Sequence, residues 1–220
     1  MAAGKKFKFA GSQIALLTGF STDSPSQLIT GISNGNPAVV TSNAHGLADG
    51  DVVKITGVVG MTEVNDELFV VINKTDNTFE LADTDATGYG TYSSGGEIVE
   101  GTLSNFCELT NYNRAGGTSP EISTTSLCST AQEYEIGLPD FGTTQIDYNF
   151  APRTAIQEAL HSFYLSGDKI AVKVVLPNSG GEMVQIGFIQ QESETAAVNG
   201  IWTASVTIRN TGNRVDIEAA

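Results

Sequence analysis

The residues able to do chemistry are few: His45 and His161, Cys107 and Cys128, and the carboxylate pairs Asp83/Asp85 and Glu133/Glu135. The histidines and cysteines do not stand at the short spacings with which a tetrahedral site gathers its ligands, which argues against zinc. His45 sits in Asn-Ala-His-Gly-Leu at 43–47, a turn by composition, and His161 follows Leu160 near the edge of an apolar helical stripe. Both read as structural. The cysteines read as small buried hydrophobes in a reducing compartment, since no signal peptide is expected ahead of them. Gly-Val-Val-Gly at 57–60 and Gly-Tyr-Gly at 88–90 lack the strand-to-helix context in which glycines cradle a phosphate, so they are expected in turns. Asp83-Thr84-Asp85 hints at calcium, but the glycine and bidentate glutamate of an EF-hand loop do not follow. Glu133 and Glu135 alternate on a predicted strand and share a face, with no general acid opposite them. With no convergent nucleophile and base, the chain reads as non-enzymatic, and no catalytic residue, cofactor or metal is expected.

The elements that carry these residues are mostly strands. Twenty-four glycines, 16% charged residues and 40% hydrophobic residues suit short strands joined by tight turns. Runs at 38–41, 52–56, 68–72 and 78–81 are predicted strands of a small closed sheet. Longer strands are predicted at 106–112, 132–138, 145–150 and 169–176, followed by two runs carrying Val184, Ile186, Phe188 and Trp202, Ala204, Val206, Ile208 on one face. One helix is predicted at about 152–166. Pro152 suits its first turn, Ala155, Ile156, Ala159, Leu160, Phe163 and Tyr164 form its apolar stripe, and Gly167 ends it. The helix is expected to cover the shared apolar side of the long strands. The fold expected is mainly β, a β-sandwich or open barrel with one packed helix and an inserted small β-barrel.

Charge divides the chain further. Of a net −14, residues 28–98 carry −8, with ten acids against Lys54 and Lys74. A sequence pI near 4.3 disfavours attraction to nucleic-acid phosphates, whereas a surface that DNA slides past would gain from weak repulsion. No run approaches the roughly 18 apolar residues of a membrane-spanning helix, so no membrane insertion is expected. At the start, Lys5, Lys6 and Lys8 alternate with Phe7 and Phe9, and Ile14, Leu16, Leu17 and Phe20 follow. That stretch reads as an extended apolar arm seeking a partner surface.

Two resemblances give these parts a context. Ser-Pro-Glu-Ile-Ser-Thr-Thr-Ser-Leu at 119–127, Tyr-Glu-Ile-Gly-Leu-Pro-Asp at 134–140, Leu165-Ser166-Gly167 and Val-Thr-Ile-Arg-Asn-Thr-Gly at 206–212 stand in an order that resembles the major tail tube proteins of long-tailed, lambda-like siphovirus phages. Asn-Pro-Ala-Val-Val-Thr at 36–41, Ala-His-Gly-Leu at 44–47, Gly50-Asp51-Val52-Val53, Gly60-Met61 and Asn65 resemble the FCCH-type β-barrel of ubiquitin-activating enzymes. The first resemblance implies a tail-tube fold in hexameric rings stacked head to tail around a DNA channel, made in the host cytoplasm and carried in the virion tail. Its partners would be other copies, the terminator, tape measure and distal tail proteins, and DNA passing without specific binding. The domains expected are an arm and tube-domain start at 1–27, an inserted FCCH-like domain at 28–98 facing outward, and the tube domain at 99–220. Ring stacking is assigned to Phe7, Phe9, Ile14 and Leu16, and a negative lumen lining to Glu133, Glu135 and Asp147. The alternatives are another virion tube or tail-end ring component, or a module that binds a host surface.

Overall fold

A computed structural model describes residues 6–21 and 27–219. The chain is mainly β with one helix, as composition and alternation predict. Its strands are β1 (Gln13–Phe20), β2 (Gln27–Leu28), β3 (Gly31–Ile32), β4 (Ala38–Thr41), β5 (Val52–Val59), β6 (Leu68–Ile72), β7 (Thr78–Leu81) and β8 (Ser94–Asn105). There follow β9 (Leu109–Ala115), β10 (Glu121–Ser123), β11 (Tyr134–Ile136), β12 (Thr143–Asn149), β13 (Lys169–Val175), β14 (Glu182–Thr195), β15 (Thr203–Asn210) and β16 (Val215–Ile217), with helix α1 (Ala155–Ser166) between β12 and β13.

One continuous antiparallel sheet runs β3-β4-β7-β6-β5-β8-β1-β13-β14-β15-β12-β9, with β2 also on β8 and β16 also on β14. The hinge of this arrangement is β8. Its first half pairs with β5 and its second half with β1, so one strand belongs to both ends of the molecule. In the acidic segment, residues 27–32 pair with β8 through β2 and with β4 through β3, which curls the sheet without the continuous ladder of a closed barrel.

Two apolar clusters form. The smaller lies within the acidic segment and includes fully buried Val40, Ile55, Met61, Phe79 and Leu81. The larger gathers Leu16, Ile146, Leu160, Ile170, Val206 and Ile208 from the long strands and the helix. Each such side chain contributes about 1.5–3 kcal/mol on burial. Val52, Leu68 and Val70 of the acidic segment join the larger cluster, whereas Phe69 and Val71 join the smaller. Strand β6 is therefore buried on both faces, which explains its unbroken Leu-Phe-Val-Val-Ile run.

Helix α1 packs on β14 and β1 through Leu160, with Ile156 and Phe163 beside it. It covers part of the apolar face, as its stripe predicts, and β5 and β6 supply more of the cover. Gly167 ends it in the left-handed region at φ 73°, donating its N–H to the Phe163 carbonyl at 3.0 Å.

Four local expectations are corrected. Residues 13–20 are not an arm but β1, held between β8 and β13. The strand predicted at 106–112 is broken at its start, because the Phe106 N–H turns inward to the Ile14 carbonyl at 2.8 Å and its ring packs on Tyr148 at 5.0 Å. Residues 111–130, whose Gly, Ser and Thr content predicts a loop ordered by stacking, contain the end of β9 and all of β10. Cys107 and Cys128 are exposed, not buried, since one lies in the turn after β8 and the other beyond β10, where no layer covers them.

Candidate assembly surface

Between β9 and β12 the chain leaves the sheet as a two-stranded ribbon. Strands β10 and β11 pair Glu121 with Ile136 and Ser123 with Tyr134. Further backbone bonds extend the pairing from Asp140 N to Thr118 O at 3.0 Å, at the root, to Thr124 N to Glu133 O at 2.9 Å, near the tip. Every residue of both strands is exposed, which corrects the expectation of a half-buried strand at 132–138. An isolated two-stranded ribbon is marginal in water. This one nevertheless carries Ile122, Leu127, Tyr134, Ile136 and Leu138 in the open, Leu138 at 89% of its full accessibility. The root is narrow: Gly142 adopts φ 78°, and a Cβ there would meet the Ala115 carbonyl oxygen at 2.2 Å. Arg209 and Asp140 close it with an ion pair at 2.8 Å.

Next to the root lies β9, an edge strand. Among the described residues it pairs only with β12, so one row of its backbone groups faces outward without a strand beside it. Behind this edge the sheet shows a polar face. Asn111, Asp147, Ser205 and Ser193 stand opposite one another on four successive strands, and Asn113, Gln145, Thr207 and Gln191 form the next row. Asp147 is held there by Asn111 Nδ2 at 2.9 Å and Gln145 Nε2 at 3.0 Å, and Ser193 and Ser205 share a hydrogen bond at 2.9 Å. The other face of β12 and β15 buries Ile146, Tyr148, Val206 and Ile208.

The residues singled out in the sequence scatter over this surface. Ile14 and Leu16 sit in β1 and are buried within the same chain, so they are not available to a second subunit. Phe9 is 55% exposed. Phe7 packs against the 176–181 turn, where a Cβ on Gly180 would fall 2.6 Å from its Cε1. Glu133 and Glu135 belong to the ribbon, Glu133 accepting from Ser129 Oγ at 3.1 Å, while Asp147 belongs to the main sheet. The structure does not bring the three carboxylates together. The ribbon's apolar side chains were missed as a surface, although their signal is legible: large aliphatics spaced through a stretch rich in Gly, Ser, Thr and Pro.

The chemistry-bearing residues have structural partners. His45 is buried edge-on to Phe79 at 5.2 Å, with Nδ1 accepting from the Leu47 N–H at 3.1 Å and Nε2 at 3.3 Å from the Thr78 carbonyl. His161 pairs with Glu192 at 3.0 Å. Asp83 accepts from the Asn213 side chain at 2.9 Å across to the acidic segment's neighbour, and Asp85 accepts from Thr87 Oγ1 at 2.6 Å, which holds its carboxyl below the usual range. Among the described residues no group of three or more His, Cys, Asp or Glu is placed to hold a metal ion. No described helix is long and apolar enough to cross a membrane.

The fold thus defines an antiparallel β protein with one helix, an open edge and a projecting apolar ribbon. Residues 34–101 match the family model of the ubiquitin-activating enzyme E1 FCCH domain. No curated protein matches the chain. Among solved structures, the SPP1 tail tube is similar at 15% identity and a TM-score of 0.42, over 53% of this chain and 69% of that one. The tail of an empty GTA particle is similar at 14% identity and 0.42, over 52% of this chain and 85% of that one.

Proposed function

We propose that the chain is a structural subunit of a phage tail tube, not an enzyme, and that it polymerises through the β9 edge and the ribbon into stacked rings of six that conduct DNA. The observation that carries this reading is the ribbon itself. Its exposed aliphatics and the open β9 edge are liabilities in a monomer and become contacts in a ring, where a neighbouring copy covers both. The order of tail-tube-like motifs points the same way, because three of the four lie on the ribbon or on β15 beside its root.

In such a ring the amide and hydroxyl rows around Asp147 form the wall that DNA passes, offering little to phosphate. Glu133 and Glu135 add negative charge from the ribbon. The acidic segment of residues 28–98 is an FCCH-like addition on the outside of the tube, where its acids meet water. The remaining partners are a terminator, a tape measure and a distal tail protein, within a virion assembled in the host cytoplasm.

Electron microscopy of the purified chain at high concentration tests the reading. Long tubes are expected. Isolated rings would reassign the chain to the end of a tube, and a persistent monomer would overturn the proposal. Replacing Ile136→Asp together with Leu138→Asp is expected to leave a folded chain by circular dichroism that forms no tubes.

A further inference from the structure

Away from the ribbon, a cavity of about 450 Å³ opens between α1 and the last third of β14. Tyr148, Phe150 and Leu165 give it apolar walls, and Glu158, Glu192 and Glu194 bring three carboxylates to the same space. Trp202 extends the aromatic wall, its ring 5.9 Å from that of Phe150 and more than half exposed. Burial pushes the Tyr148 phenol up to about 12, and Glu192 and Glu194 add to the rise, which puts both carboxylates within electrostatic reach of the wall. Aromatic surface beside carboxylates suits a cationic segment interleaved with apolar side chains.

The chain owns one such segment. Only eleven of its 220 residues are Lys or Arg, and three of them, Lys5, Lys6 and Lys8, alternate with Phe7 and Phe9. Lys6 and Lys8 are exposed, as is Phe9. This segment cannot reach the cavity of its own chain. Phe7 packs at the 176–181 turn, immediately before β14, while the cavity borders β14 at Glu192, ten residues further on. At the rise of a strand that is roughly 30 Å. Residues 5–9 all lie within two positions of Phe7, about 7 Å even when fully extended.

We propose that the cavity receives residues 5–9 of a second copy, with Phe9 entering between Phe150 and Leu165 and the lysines meeting Glu158, Glu192 and Glu194. Donor and acceptor then lie at opposite ends of β14. A contact between unlike patches on opposite ends repeats without closing, so it propagates a stack. Reading it as the ring-to-ring contact rests on the tube function proposed above, whereas the docking itself does not.

The test uses a fluorescent peptide of residues 1–10 and the full chain carrying Lys6→Glu and Lys8→Glu, whose own amino-terminal segment competes poorly. The peptide is expected to bind, and to lose about tenfold in affinity when Glu158→Lys and Glu194→Lys are added, both being exposed positions that leave the circular dichroism unchanged. A Phe9→Ala peptide is expected to bind less tightly to the unaltered receiver. Equal binding across these pairs, or none, overturns the proposal. Tubes that persist in the Glu158→Lys/Glu194→Lys chain also overturn it while leaving the tube function standing. Tubes lost there and restored by adding Lys6→Glu and Lys8→Glu support it. Peptide binding without tubes in the unaltered chain supports the docking and sinks the tube reading.

Discussion

The acidic segment and the ribbon both interrupt the run of long strands, yet they manage exposure in opposite ways. The segment folds around its own core, turns its acids to water and inserts Val52, Leu68 and Val70 into the larger cluster. The ribbon has no core and leaves its aliphatics in solvent on both strands. The difference teaches where this chain is complete alone and where it is not. Burial within one chain covers the segment's apolar side chains, and the same chain leaves the ribbon's uncovered.

The contrast predicts unequal costs for mutation. Phe79→Ala empties the centre of the segment's core and is expected to destabilise the chain by about 3–5 kcal/mol in urea unfolding. Because β8 and β6 serve both clusters, the loss should appear in a single cooperative transition. Two separate calorimetric transitions, with only one displaced by Phe79→Ala, would break the picture of a shared framework. Leu68→Ala tests the junction from the other side, with an expected loss of about 2 kcal/mol or more, since its side chain packs in the larger cluster although its strand lies within the acidic segment. Excision of residues 28–98 would uncover that same junction, so point substitution is the cleaner probe.

Ribbon substitutions should cost almost nothing in the isolated chain. Ile136→Ser with Leu138→Ser is expected to shift monomer stability by about 0.5 kcal/mol or less. A large loss in thermal melting would mean that the ribbon packs on its own sheet in solution, erasing the contrast.

The smallest effect concerns pH at the junction strand. Burial raises the Glu100 carboxyl above its ordinary value near 4.5, and Asp51 adds to the rise. The folded chain thus holds this proton more tightly than the unfolded one. Its stabilising contribution is present below the ordinary value and is lost as pH rises through the folded value. Glu100→Gln should flatten the fall in stability across that window and leave stability at lower pH unchanged. Urea midpoints measured as a function of pH check it.

Much of this was legible in the residues. Strands β4, β6 and β7 fall where β-branched runs between turn residues predict them, and α1 ends at Gly167 because glycine alone takes φ 73° there without cost. The candidate surface was less legible. Alternation in residues 132–138 suggests a buried face, but a two-stranded ribbon has the same period whether or not anything covers it. The apolar content of residues 13–20 suggests a need for a partner and is silent on whether that partner lies in the same chain.

Periodicity and turn chemistry are properties of a few neighbouring residues, so the sequence by itself determined the β class, the single helix, the acidic segment and the turn at 88–90. The turn expected at 57–60 is overridden, since Gly57 lies inside β5 where the strand pairs with β8. Pairing is a property of residues far apart in the chain. Only the tertiary structure decided that β1 lies between β8 and β13, that β6 is covered on both faces, and that Asp147 stands in a row with Asn111, Ser205 and Ser193. Each of these rests on hydrogen bonds and contacts between distant segments, whose registers depend on the packing of the whole sheet and not on any local pattern.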